Sequence, residues 1–172
     1  MELAQEVGER LRRLRQAGGL SLSELARRSG VGKGTLSELE TGRRNPTLET
    51  LYALTTALEA PLSAVVGPAP VRGAAVHAVL TDRVQDAAAV SEVYRIRIQS
   101  GAVQRSAAHV PGTEEHLLVL SGTARVGPAS APLEVGPGGH ARWAADVPHL
   151  YEAVGRDVEG VLVVRYPAER DA

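Results

Sequence analysis

Residues 20–46 read LSLSELARRSGVGKGTLSELETGRRNP, and this stretch decides the fold of the first third of the chain. Ser21 is a good helix N-cap, and Glu24, three residues on, completes the pattern of a capping box. Leu22, Leu25 and Ala26 then fall on one helical face. Gly30 stops the helix, because glycine accepts the left-handed conformation found at helix C-termini. A second helix is predicted from about Gly32 to Thr41, with Leu36 and Leu39 buried and Gly42 ending it. Arg43, Arg44 and Asn45 follow as a basic loop.

Working outward, Val7, Leu11 and Leu14 keep an i, i+4, i+7 spacing, and Gly18-Gly19 ends that helix. Pro46-Thr47 opens a fourth helix with Leu48, Leu51, Leu54 and Leu58 inward, and Pro61 to Val66 forms a short fifth. Two short helices joined by a glycine turn, then a basic loop, are the layout of a helix-turn-helix, whose second helix enters the DNA major groove. Five helices in about 66 residues are enough for a small core. Gly30 to Thr35 does not qualify as a phosphate loop, which needs Ser or Thr directly after Gly-Lys and a strand before it.

Residues 7–66 resemble the XRE type of helix-turn-helix, the fold of the phage lambda repressor. The matching residues are Leu25-Ala26, Gly30-Val31, Thr35-Leu36, Leu39-Glu40, Gly42 and Arg43 through Pro46. The resemblance implies a DNA-contacting set of Lys33, Gly34, Thr35, Ser37, Glu38, Arg43, Arg44 and Asn45. Lys33 would donate to guanine O6/N7, and Glu38 would accept from cytosine N4 or stand as a solvated carboxylate. Arg43, Arg44 and Asn45 would hold phosphates and set register without reading sequence. The chain departs from the family at Leu22, where many relatives carry Gln, and Gly34 offers no side chain. Sparse direct readout gives DNA shape a larger share of specificity.

The chain has 172 residues, enough for one or two domains. Its net charge is −1, so bulk electrostatics do not drive nucleic-acid binding. Residues 1–66 carry nine basic and eight acidic side chains; residues 67–172 carry ten and twelve. DNA attraction therefore rests on the local placement of Lys33, Arg43 and Arg44. There is no cysteine, hence no disulfide or thiolate chemistry. No apolar run approaches a membrane span, and MELAQEVGER lacks a signal peptide's apolar region, so a soluble cytoplasmic protein with no membrane partner is expected.

Residues 67–73, with two prolines and two glycines, read as a linker between domains 1–66 and 74–172. Beyond it the apolar period changes. Ala74 to Leu80, Glu92 to Gln99, His116 to Leu120, Thr123 to Val126, His140 to Trp143, His149 to Ala153 and Val158 to Tyr166 are short Val-rich or alternating runs. Such runs between Gly/Pro turns indicate an antiparallel sandwich or barrel.

Two stretches, Gly101 to Gly122 and Gly136 to Ala153, together resemble the signature motifs of the cupins, small jelly-roll barrels that often hold a metal. Glu115 and Gly122 keep the first motif's spacing, His109 matches the second His of its His-x-His pair, and Pro137, Gly139 and His149 match the second motif. Ala107 replaces the first His, and one extra residue separates His109 from the Glu. The resemblance therefore implies a trio, His109, Glu115 and His149, able to hold a divalent ion such as Zn, Mn, Fe or Ni with water. The alternative is a metal-free polar pocket, lined by these residues and Tyr151, for an organic ligand. Strand parity places Glu115, Leu117 and Val119 inward with His116 outward, and His149 and Tyr151 on one inner face. His77 and His140 read as ordinary strand or turn residues, and Trp143 as core or pocket wall.

The expected fold is thus multidomain, α then all-β: a five-helix lambda-repressor-like bundle followed by a small cupin jelly-roll barrel. The expected function is a sequence-specific transcriptional regulator, binding a double-stranded DNA operator as a homodimer and sensing a small-molecule effector or metal. Two alternatives remain: a cupin metal-dependent enzyme with an attached DNA-binding domain, or a ligand-free barrel serving only as a dimerisation platform.

Overall fold

The apolar spacing of the first 66 residues produces five helices: α1 (Leu3–Ala17), α2 (Leu22–Ser29), α3 (Lys33–Glu40), α4 (Leu48–Ala57) and α5 (Ser63–Val66). The computed structural model describes residues 3–66 and 70–167, and the chain divides into two units, Met1–Ala69 and Pro70–Ala172. Leu11, Leu25, Leu36, Leu51, Leu54, Leu62 and Val65 are fully buried and make the helical core. Leu14 and Leu58, expected inward, are only half-buried: Leu14 lies near the end of α1 and Leu58 is the C-cap of α4.

The local terminators act as the sequence implies, with one correction. Ser21 Oγ accepts from Glu24 N at 3.1 Å, and Gly30 closes α2 at φ 70°. The reciprocal half of the capping box is not made, because the Glu24 carboxylate takes Arg27 at 2.7 Å and Arg28 at 2.8 Å. Two guanidinium partners outcompete a single backbone N–H, and their hydrogen bonds bring the Glu24 pKa down to about 2. Gly8 lets α1 rest directly on the end of α3, since a Cβ there would lie 2.3 Å from Leu39 O.

The second unit has ten strands: β1 (Val71–Arg72), β2 (Val76–Gln85), β3 (Ala89–Ile98), β4 (Val103–Ser106), β5 (Glu114–Ser121), β6 (Ala124–Pro128), β7 (Leu133–Val135), β8 (His140–Ala144), β9 (His149–Ala153) and β10 (Val158–Pro167). They pair as two sheets, β1-β2-β3-β10-β5-β8 and β4-β9-β6-β7, with every ladder antiparallel. The expected jelly-roll barrel is therefore realised among the described residues as two sheets, with no ladder closing it. Tyr94, Ile96, Ile98, Leu117, Val119, Val126, Leu162 and Val164 are buried in the core of this unit.

Of the segment expected as linker, residues 67–69 lie outside the described residues, while Val71 and Arg72 pair with Ala78 and His77 as β1. Val71 is buried, which holds this part of the segment in the sheet. β4 and β7 were not among the expected runs. The buried positions of β4 are Gln104 and Ser106, so its sequence, VQRS, lacks an apolar alternation.

Candidate functional site

Lys33 and Gly34 open α3 and are exposed, as is Glu38 one turn later; Thr35 and Ser37 are half-buried beside them. Among the described residues, nothing outside its own helix lies within 4 Å of a Cβ built on Gly34, so no packing contact requires glycine there. The basic loop is placed by the C-terminus of the same helix. Gly42 N donates to Leu39 O at 3.0 Å and Arg43 N to Glu38 O at 2.9 Å, the paired bonds of a Schellman motif. Arg43 Nε donates to Thr41 Oγ1 at 3.0 Å, whose hydroxyl donates to Ser37 O at 2.8 Å. Arg44 and Glu38 approach at 3.4 Å while more than half exposed, a weak, solvated pair. Arg43, Arg44 and Asn45 are all exposed.

The second cluster is internal to the sheet unit. Glu115 projects inward from β5, in register with Trp143 of β8 and Val164 of β10; Val164 in turn faces Glu92 of β3. His149 and Tyr151 project from β9, and His109 sits in the irregular segment after β4, fixed by its N–H to Ala145 O at 2.9 Å. His109, Glu115, His149 and Tyr151 are each at least 96% buried. His109 Nε2 lies 3.0 Å from Glu115 Oε1, the Tyr151 hydroxyl donates to Glu115 Oε2, and His149 Nε2 lies 3.6 Å from that oxygen. The potential ligand atoms of His109, Glu115 and His149 lie within 4.8 Å of one another.

The electrostatics of this cluster favour an ionised carboxylate. Burial pushes the Glu115 pKa up, but the hydrogen bond from His109, the two imidazole charges and the Tyr151 hydroxyl outweigh it and leave the pKa below its ordinary value. His149 Nδ1 lies 2.8 Å from Val147 O. A carbonyl only accepts, so Nδ1 carries a proton, and Nε2 is the ring atom that faces the cluster. That Nε2 is buried without a hydrogen-bond partner. The two imidazoles and one carboxylate fit a divalent ion by donor type, and the fixed Nδ1–H is the support a metal-ligating histidine commonly has.

His116 faces the other side of the sheet, where it stacks on His140 with ring centroids 5.5 Å apart. Ala107, at the position of the missing motif histidine, is exposed, whereas Ser106 is buried opposite His149. Sequence reasoning missed Gln104 and Ser106 because it missed β4. It also missed the buried Glu92, which accepts from the Tyr94 hydroxyl. Glu92 shares its parity with Tyr94, Ile96 and Ile98, so an inward carboxylate was readable from that run.

The helix-turn-helix family profile HTH_3 matches residues 11–65. The chain is 30% identical over 177 residues to the HTH-type transcriptional regulator SutR of Escherichia coli, covering 96% of this chain and 97% of that one. Among solved structures, an HTH_3 family transcriptional regulator from Vibrio cholerae aligns with a TM-score of 0.82 at 27% identity, covering 96% of this chain and 97% of the other. A cupin domain of an XRE family transcriptional regulator from Enterobacter cloacae aligns at 28% identity and a TM-score of 0.42, covering 45% of this chain and 82% of that one.

Proposed function

The chain belongs to the HTH-type transcriptional regulators, and on that premise we propose that it binds a double-stranded DNA operator through α3 and the loop behind it, and senses a small molecule or metal in its second unit. Lys33, Gly34, Thr35, Ser37 and Glu38 face base edges or the groove wall, and Arg43, Arg44 and Asn45 hold phosphates. Two copies act together, so the operator has two half-sites about one helical turn apart, ~34 Å. The sheet unit binds its ligand without turning it over.

The observation that carries the sensing reading is His149 Nε2, buried without a hydrogen-bond partner at 3.6 Å from Glu115 Oε2, with its ring fixed by the Nδ1 contact to Val147 O at 2.8 Å. His109, Glu115 and His149 would hold a divalent ion of the Zn, Mn, Fe or Ni group, with an open position for water or effector. Such an ion would supply positive charge inside the sheet unit. Native mass spectrometry of full-length protein with added Zn²⁺ tests this: one bound ion per chain, lost in His149→Ala, supports the reading, and no retained ion overturns it.

A metal-free pocket is the second reading, and one observation favours it. Both Glu115 oxygens already have partners, His109 and Tyr151, so the carboxylate is satisfied by the chain itself. Failure to retain any added divalent ion would favour this reading.

A further inference from the structure

The outer face of the six-stranded sheet leaves apolar side chains in contact with water. Outward residues of β10 and β5 stand opposite one another in register: Val161 by Leu118, Val163 by His116 and Arg165 by Glu114. Leu118 is 41% exposed, and Val161 and Val163 are half-buried. With His116, His140 and Arg165 they line one groove of about 340 Å³. An apolar patch rimmed by polar and charged groups marks an interaction surface. Two groups on this rim are unmet among the described residues. The exposed Arg165 guanidinium makes no hydrogen bond or ion pair, and Arg142 takes only Oε1 of Glu114.

We infer that this face packs on the same face of a second copy of the chain, about a two-fold axis running along the strands between β10 and β5. The inference rests on the reading above that two copies act together. A two-fold contact is isologous: where residue i of one copy meets residue j of the other, j also meets i. Rotation about this axis keeps each register row and exchanges β10 with β5. Val161 then meets the partner's Leu118, Val163 the partner's His116 and Arg165 the partner's Glu114, each contact occurring twice. Both unmet rim groups are thereby paired. The apolar rows between them are closed off from water, as in the aligned packing of two sheets about 10 Å apart. Charge selects this occupant over others. An acidic partner would oppose Glu114 while it engaged Arg165, and a basic partner would do the reverse, so the mixed rim fits a copy of itself.

The test measures the dimer dissociation constant of full-length protein by analytical ultracentrifugation. Arg165→Glu alone and Glu114→Arg alone each set like charges against one another at both contacts, and each should raise the constant about tenfold or more. An equimolar mixture of the two variants restores opposite charges at both contacts. It should associate as tightly as the parent chain, with native mass spectrometry showing one copy of each variant per dimer. Leu118→Asp, at an exposed position of the monomer, should weaken association to a similar degree and gain nothing from mixing. Circular dichroism confirms that the variants are folded; if a charge variant is not, Leu118→Asp decides. A monomeric parent chain overturns both the proposal and the two-copy reading. A parent dimer that is unchanged in Leu118→Asp and in both charge variants overturns the proposal alone and leaves two copies acting together through another surface. Charge variants that are each weakened but do not rescue one another also overturn it, because Arg165 then does not meet the partner's Glu114.

Discussion

Arg15 closes on Glu40 through two hydrogen bonds, Nε to Oε1 at 2.6 Å and Nη2 to Oε2 at 2.8 Å, while its Nη1 donates to Leu20 O at 2.9 Å. One side chain thereby ties α1 to the segment before α2 and to the last residue of α3. Glu40 is 7% exposed, so the pair is shielded from water and salt. Glu40→Ala leaves the guanidinium without its partner, and a loss of about 3 kcal/mol is expected in urea unfolding. The double variant Arg15→Met, Glu40→Leu should be less destabilised than the sum of the two single changes. Strict additivity would mean that the pair contributes no coupling.

Gly34→Ala separates fold from function at the start of α3. Glycine in a helix is worse than alanine by about 0.5–1 kcal/mol, and among the described residues nothing outside the helix lies close enough to exclude a methyl group. The variant should melt higher yet bind the operator more weakly, because the methyl group meets the approaching DNA. Unchanged operator affinity would remove Gly34 from the interface.

Arg43→Ala and Arg44→Ala should weaken selected and random DNA equally. Each should flatten the dependence of log affinity on log salt by about one unit. Lys33→Ala should cost roughly 1–3 kcal/mol and relax preference at one base pair. Competition binding against single-base operator variants distinguishes the two behaviours; equal loss on random DNA would make Lys33 a phosphate contact.

The helical unit was largely legible because its punctuation is local. Ser21, Gly30, Gly42 and Thr47 each act within three or four residues of their own position. The Arg15–Glu40 pair was not legible, since it joins residues 25 apart and neither has a distinctive neighbourhood. In the sheet unit, alternation correctly placed Glu115, Leu117 and Val119 inside and His116 on the other face. It also placed His149 and Tyr151 together in the interior. It failed at β4, where Gln104 and Ser106 are polar yet buried. A strand whose buried face is polar looks like a loop to any pattern based on hydrophobicity.

Acid should loosen α2 selectively. The Glu24 carboxyl titrates near 2 in the folded chain because Arg27 and Arg28 hold its anion. A depressed carboxylate pKa contributes stability that is complete above the unfolded value of about 4.3 and is lost as pH falls toward 2. Hydrogen exchange of α2 amides should therefore accelerate over that window, and Glu24→Gln should remove this part of the dependence. An identical profile in the variant would assign the acid sensitivity to other carboxyls.

The central claim is that the buried His109–Glu115–His149 site controls DNA binding. Fluorescence anisotropy of full-length protein on a selected operator, with Zn²⁺ and after chelation, tests it directly. The account predicts an affinity difference of about fivefold or more in the parent chain, a typical coupling between two sites, and its disappearance in His149→Ala. Identical affinities with and without the ion, or a difference that persists unchanged in His149→Ala, would contradict it.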